Sequence, residues 1–248
     1  MKNGIAKQIM SGYGDLRKSE KKAADYILKN MEQAAEPMFG YTLRKQDTLE
    51  EIPSYMTATA AGMMEETLKN FSVKTYRKAV EAIRKARLID IYSVENSGVA
   101  AQDLLAKLLY LGLPCRYFSD SYYQRISAGS LTEEDVAVGI SYSGASKDTV
   151  DAMRTAKRAG AVTIVITNFR DSPICRYADI LICTSQEQLI YGNAIYSRMT
   201  QLLIVDMIYM GIIASDYEHY VGLLDQGEKI VRERAYPSGA EERKKKKP

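Results

Sequence analysis

Residues 135–168 read DVAVGISYSGASKDTVDAMRTAKRAGAVTIVITN, and the fold turns on them. The first seven (135–141) are a short apolar run, the pattern of a strand buried on both faces. A loop of hydroxyls and glycine follows. Then comes KDTVDAMRTAKRAG (147–160), a helical pattern ended by Gly160, and VTIVITN (162–168), a second buried strand. Strand, helix and strand in so short a span make a βαβ unit with parallel strands.

The same rhythm runs outward in both directions. Upstream, LIDIYSV (88–94) is a strand, VAAQDLLAKLLYLG (99–112) a helix ended by Gly112, and CRYF (115–118) a short strand. Downstream, DILICT (179–184) is a strand, followed by a long helix over 193–214 and an amphipathic helix near 217–234. Five apolar strands alternating with helices predict an α/β fold. Its expected form is a three-layer α/β/α flavodoxin-like sandwich around a five-stranded parallel sheet. Ahead of the sheet, 16–30 reads as a short helix with Ser19 at its N-cap, and 31–46 as irregular, broken by Pro37 and Gly40. Two helical patterns fill 47–86, separated near Asn70, and Ser72 caps the second.

The chain has 248 residues, 46% hydrophobic and 26% charged, with 3 Cys and 1 His. A length of this order buries roughly three quarters of the unfolded surface, enough for one or two domains without staples. Collagen, low-complexity disorder and a disulfide scaffold are excluded. His219 alone supplies neither a His-based triad nor a polyhistidine metal site. Cys115, Cys175 and Cys183 form no C-x-x-C pair, which argues against zinc and for a reducing compartment. No metal and no cofactor is expected.

Charge is unevenly placed. Residues 1–46 carry a net +4, 47–240 a net −4, and the tail EERKKKKP (241–248) a net +3. The tail is read as a solvated, disordered end. MKNGIAKQIM lacks the apolar core of a signal peptide. The most apolar stretch, LLIVDMIYMGIIA (202–214), is 13 residues long and interrupted by Asp206, short of the roughly 20 a membrane span needs. The expectation is a cytoplasmic protein with no membrane partner and a buried helix at 202–214.

In a doubly wound sheet, ligands bind beyond the carboxyl ends of the strands. Two loops there are chemically distinctive: Glu95-Asn96-Ser97-Gly98 and Ser141-Tyr142-Ser143-Gly144-Ala145-Ser146. Each sets hydroxyls and a glycine at a helix start, where unpaired amides and the helix dipole favour an anion. Capping would explain one serine per helix; hydroxyls at 141, 143 and 146 exceed that need. No G-x-x-x-x-G-K-[ST] occurs, and no G-x-G-x-x-G follows a strand. A small phosphate ester, rather than a nucleotide, fits these neutral donors. The candidate ligand residues are Asn96, Ser97, Ser141, Ser143 and Ser146.

These residues carry a resemblance. Strand–Ser97–helix, ISYSGAS (140–146), Ser172-Pro173 before ADILICT (178–184), and AIYSRMTQLLIVD (194–206) resemble the sugar isomerase (SIS) domain over about 85–210. LRKSEKKAADYILKN (16–30), DTLEE and ETLKN within 47–70, and KAVEAIRKARLIDIY (78–92) narrow it to the RpiR/MurR-type bacterial regulators. These join a helix-turn-helix domain to a phosphosugar-sensing SIS domain. The resemblance implies that Ser97, Ser141, Ser143 and Ser146 hold a small phosphorylated sugar. It also implies a transcriptional regulator of carbohydrate metabolism that forms a homodimer or higher homo-oligomer. Its expected organisation is a truncated, degenerate helix-turn-helix region (1–46), a SIS domain with leading linker helices (47–238) and the basic tail (239–248).

Two departures from the family pattern stand out. The first loop usually reads G-x-G-x-S, and here Ser93 and Glu95 replace both glycines. A carboxylate beside a phosphate pocket is repulsive unless it points away. Secondly, Met31–Gln46 is too short and broken to hold a turn and a recognition helix. DNA is therefore a partner the family implies but these residues do not supply. The alternative functions are a SIS sensor that has lost DNA binding, or a sugar-phosphate isomerase, which needs a base and an acid on adjacent carbons. Glu187, near a position where several SIS enzymes keep a carboxylate, is the candidate catalytic residue. Glu95 and His219 are weaker ones, and no two-group constellation emerges, so ligand binding is favoured over catalysis. The tyrosines at 110, 117, 122, 123, 191 and 196 are assigned mostly to half-buried packing.

Overall fold

The computed structural model describes residues 48–184 and 194–232, with Tyr13 and Lys21. The chain divides into two compact units, 1–52 with 189–193 and 53–188 with 194–248; the sheet and its helices belong to the second. Apart from Lys21, the expected helix 16–30, the irregular stretch 31–46, Glu187, Tyr191 and the tail 239–248 lie outside the described residues.

Two helices lead into the sheet, α1 (Ile52–Lys69) and α2 (Val73–Lys85). Ser72 caps α2 as expected, its Oγ accepting the Thr75 N–H at 3.3 Å. Next come β1 (Ile89–Tyr92), α3 (Gly98–Tyr110), β2 (Cys115–Tyr117), α4 (Ser121–Ala128), β3 (Val136–Ser141) and α5 (Lys147–Arg158). The order closes with β4 (Val162–Thr167), β5 (Ile180–Cys183), α6 (Ala194–Ser215) and α7 (Tyr217–Arg232). The five strands form one parallel sheet in the order β2-β1-β3-β4-β5. Every residue of β1 and β3 is buried, which is why both read as mostly apolar runs, β1 interrupted only by Asp90.

Strand alternation divides the core into two layers. Ile89 and Ile91 pack with Leu104 and Leu108 of α3 and with Ile204, Val205 and Ile208 of α6. Tyr92, Ala137 and Val165 pack on the other side with Ala152, Met153 and Ala156 of α5. Asp90, fully buried in β1, faces Arg116 of β2, and the guanidinium grips its two carboxylate oxygens at 3.0 Å each. The Tyr92 hydroxyl donates to the same carboxylate at 2.7 Å. Burial, and then the Asp90 charge, push the Tyr92 phenol well above its ordinary value.

Two features differ from expectation. Helix α4 is unforeseen. Its only buried residues are Gln124, Ser127 and Ala128, so it has no apolar stripe, and it starts because Asp120 accepts the Tyr122 and Tyr123 N–H groups at 2.7 and 3.3 Å. The apolar stretch 202–214 lies, as expected, within a long helix, but that helix carries a longer apolar window than the stretch alone suggests. The window Arg198–Ser215 of α6, with mean hydropathy 1.3, is long and apolar enough to cross a membrane. Yet α6 packs on the domain. Gln201, Ile204, Val205, Ile208 and Ile212 are buried, the Tyr76 hydroxyl donates to the Met207 carbonyl at 2.6 Å, and Lys107 reaches Asp206 at 3.0 Å. The opposite face, with Asp206 and Met210, meets solvent, so the helix is one-sided rather than apolar all round.

Candidate functional site

β1 and β3 lie side by side, although the chain builds β2 on the far side of β1 between them. Their carboxyl ends therefore flank the point where strand order reverses, the crevice in which such sheets bind ligands. Tyr92 and Gly139 are in register, so the loops at 95–98 and 142–146 leave the sheet from adjacent strand ends.

The first loop is a single 3-10 turn, Glu95–Ser97, running into α3. Ser97 is 7% exposed and its hydroxyl does not cap the helix. Its Oγ instead accepts a hydrogen bond from Gln201 Nε2 at 3.1 Å. Asn96 and Glu95 are exposed. Glu95 has φ 52°, the left-handed conformation that favours glycine, so the backbone keeps a glycine-like shape around a side chain that meets solvent. Ser93, at the other glycine position, is fully buried and held by polar contacts. Its N–H donates to Gln124 Oε1 at 3.2 Å, its carbonyl accepts Gln124 Nε2 at 2.8 Å, and its Oγ lies 3.3 Å from the Tyr117 hydroxyl.

In the second loop, Ser141 Oγ accepts the Gly144 N–H and Ser143 Oγ accepts the Ala145 N–H, both at 3.2 Å. Those two amides are thus committed inside the loop, contrary to the expectation that loop amides serve as donors. Accepting costs the serines no proton, and each keeps its O–H to donate. Ser146 occupies the N-cap position of α5 without a side-chain capping bond, which leaves the first-turn amides of α5 to water or a ligand. Gly144 is required here. Its φ is 61°, and a Cβ would lie 2.6 Å from the Ser172 Cβ and 2.8 Å from Thr167 Oγ1. The loop is pinned from β4 and beyond, with Asn168 N–H on the Tyr142 carbonyl at 3.1 Å and Ile174 N–H on the Gly144 carbonyl at 3.0 Å.

Ser97, Ser141, Ser143 and Ser146 therefore all stand at the reversal point, three of them accepting inward bonds and none capping a helix through its hydroxyl. Glu187 lies outside the described residues, and His219, exposed on α7, stacks edgewise on Tyr220 at 5.0 Å. Gln201, Asn168 and Thr149, which sequence reasoning does not single out, each bury a polar side-chain atom without a partner toward this end of the sheet. The signal was available for Gln201, a polar residue on the apolar stripe it shares with Ile204, Val205 and Ile208. A small cleft elsewhere, lined by Phe71, Ser72, Arg170, Leu181 and Ile182 among others, takes in no residue of either serine loop. Among the described residues no group of His, Cys, Asp or Glu is placed to hold a metal.

Residues 82–211, more than half of the chain, match the SIS domain family. This chain is a member of the SIS domain family. It is 37% identical over 169 residues to an uncharacterized HTH-type transcriptional regulator of Caldanaerobacter subterraneus subsp. tengcongensis, a match covering 68% of this chain and 60% of that protein. The chain spans 58% to 66% of the length of three such curated relatives. The fold of this SIS protein is shared with Vibrio vulnificus NanR complexed with ManNAc-6P, at 19% identity and a TM-score of 0.76, covering 94% of this chain and 99% of that one. The sugar isomerase domain of an RpiR transcription factor from Sphaerobacter thermophilus is similar at 20% identity and a TM-score of 0.65, covering 72% and 99%.

Proposed function

We propose that the SIS domain binds a small phosphorylated sugar as an effector, and that the protein is a sugar-phosphate-responsive regulator of RpiR type acting in the cytoplasm as a homodimer. One observation carries the reading: the loops bearing Ser97, Ser141, Ser143 and Ser146 leave adjacent strand ends at the reversal point of the sheet, and three of these hydroxyls accept hydrogen bonds while keeping a proton to donate. Neutral O–H donors and an uncapped helix start suit a phosphate ester. The NanR complex, which holds ManNAc-6P in the same fold, agrees with that chemistry. The relatives named HTH-type regulators support the regulatory role. Whether DNA is a partner is tested by a gel shift against the upstream region of its own operon, since 31–46 is too short and broken for a recognition helix.

Calorimetry with ManNAc-6P, glucose 6-phosphate and arabinose 5-phosphate tests the site. A hydrogen bond to a charged group contributes about 1.5–3 kcal/mol, so each serine lost should weaken binding roughly 10- to 100-fold. Ser141→Ala with Ser143→Ala is expected to abolish measurable binding of whichever ester binds the wild type. Unchanged affinity in that double variant would remove the serine loops from the site.

A further inference from the structure

Among the described residues four buried side-chain atoms have no hydrogen-bond partner: Asp135 Oδ1, Thr149 Oγ1, Asn168 Nδ2 and Gln201 Oε1. Asp135 lies at the amino end of β3, already tied to Arg87. The other three gather at the carboxyl end of the sheet. Thr149 is in the first turn of α5, Asn168 directly follows β4, and Gln201 reaches Ser97 from α6. Gln201 is 2% exposed, Asn168 1% and Thr149 0%. Buried polar groups are almost always paired, and leaving one unpaired is costly. All three lie toward the carboxyl end of the sheet, and Gln201, bonded to Ser97, is the one in contact with a serine loop.

Gln201 says most about that partner. Its Nε2 donates to Ser97 Oγ at 3.1 Å. A hydroxyl that accepts there keeps one proton, so Gln201 leaves Ser97 poised as a donor, the polarity an anion requires. Its Oε1 is the opposite kind of group. A carbonyl oxygen repels phosphate oxygens and is satisfied only by an O–H or N–H. One side chain thus prepares a donor for the anion and offers an acceptor beside it. Inorganic phosphate seated on the serines has only its own P–O–H and no sugar hydroxyl or amide to extend to the second. A polyhydroxylated or acylamino phosphate ester uses both.

We infer that Gln201 is a specificity residue, whose Oε1 accepts a hydroxyl or amide proton from the sugar while its Nε2 positions Ser97 toward the phosphate; this rests on the serine site proposed above. Gln201 then separates sugar phosphates from bare phosphate, which the serines by themselves would not.

The test uses the full chain, calorimetry and melting curves, with ManNAc-6P, glucose 6-phosphate and inorganic phosphate as probes. Gln201→Met keeps length and burial and removes both polar atoms. It is expected to weaken the better-binding sugar phosphate by about 10-fold or more and inorganic phosphate clearly less, since bare phosphate loses only the ordering of Ser97. The ligand-free melting temperature should hold or rise, because an unpaired buried amide has been removed. Ser141→Ala with Ser143→Ala should weaken all three probes together. If Gln201→Met fails to fold, Gln201→Asn, which withdraws the amide by one methylene, must show the same split. Unchanged sugar-phosphate affinity overturns the inference, and so does an equal loss for sugar phosphate and inorganic phosphate. A lower ligand-free melting temperature with binding intact would make Gln201 a packing residue. Should the wild type bind none of the probes, the serine site itself falls and this inference with it.

Discussion

Glu95 holds a left-handed φ of 52° in the turn where the family pattern places a glycine, and its carboxylate is exposed next to the serine site. The strain is of order 1–3 kcal/mol. Its electrostatic effect can also be sized. A carboxylate about 8 Å from a dianion in water repels it by roughly 1 kcal/mol, close to a fivefold change in affinity. Glu95→Gln, which keeps the backbone and removes the charge, is therefore expected to tighten sugar-phosphate binding about two- to fivefold at low ionic strength. The gain should vanish near 1 M salt, where screening falls to about 3 Å. A salt-independent gain, or none, would show that the carboxylate does not act on the ligand. At this scale the sequence was partly legible. The serines announced themselves because three hydroxyls in one loop exceed what a cap needs. That Ser97 and Ser146 do not cap could not be read, since capping and ligand binding call for the same residue at the same place. Gln201 stays hidden because a polar residue beside a long apolar run reads as the edge of a packing helix.

Among the elements, strands were the most legible, because a parallel strand buried on both faces leaves an uninterrupted apolar run, as in VAVGIS (136–141). Helix α4 was illegible for the converse reason: it buries a glutamine, a serine and an alanine and exposes Tyr122 and Tyr123. The contact of α2 with α6 was invisible too, since it joins Tyr76 to Met207 across 131 positions of sequence. It invites a direct test. A Cβ on Gly211 would stand 2.7 Å from the Tyr76 ring and 2.9 Å from Val80 Cγ2. Alanine favours a helix by about 1 kcal/mol over glycine, whereas overpacking costs typically 1–3 kcal/mol. Gly211→Ala is expected to lower stability by about 1–2 kcal/mol in urea melts; a stabilised variant would mean that α2 and α6 are not in this contact. At the start of β3, burial works to raise the Asp135 carboxyl, but hydrogen bonds from the Thr132 N–H, Arg87 and the Thr132 hydroxyl outweigh it and hold it below its ordinary value. A depressed folded value adds stability above the unfolded pKa of about 3.9 and loses it as pH falls through the folded one. Asp135→Asn should thus cost about 1–3 kcal/mol at pH 7, a difference that shrinks as pH falls through the depressed folded value and the carboxyl is protonated in both states. A cost unchanged at acid pH would trace it to packing.

For the molecule as a whole, the proposed dimer follows from what the packed helices leave uncovered. α3 and α6 pack against one another over the same core layer, yet expose Val99 at 46%, Leu109 at 59%, Tyr110 at 48% and Met210 at 60%. Single exposed apolar side chains are ordinary, but several on two adjoining helices are what a subunit contact would bury. α6 also carries Gln201 to the serine site, so a partner seated on this face would lie against the helix that meets the ligand. Light scattering at micromolar concentration is expected to give twice the chain mass of 27.8 kDa. Leu109→Glu with Met210→Glu places two carboxylates on that face. Exposed substitutions change monomer stability by only about 0.5 kcal/mol, whereas an unpaired charge buried in an interface costs several times more. The double variant should therefore fall to the monomer mass while keeping a cooperative melt, now independent of protein concentration. A wild type that scatters as a monomer, or a double variant that remains dimeric, would remove α3 and α6 as the contact and leave their exposed side chains to the solvent.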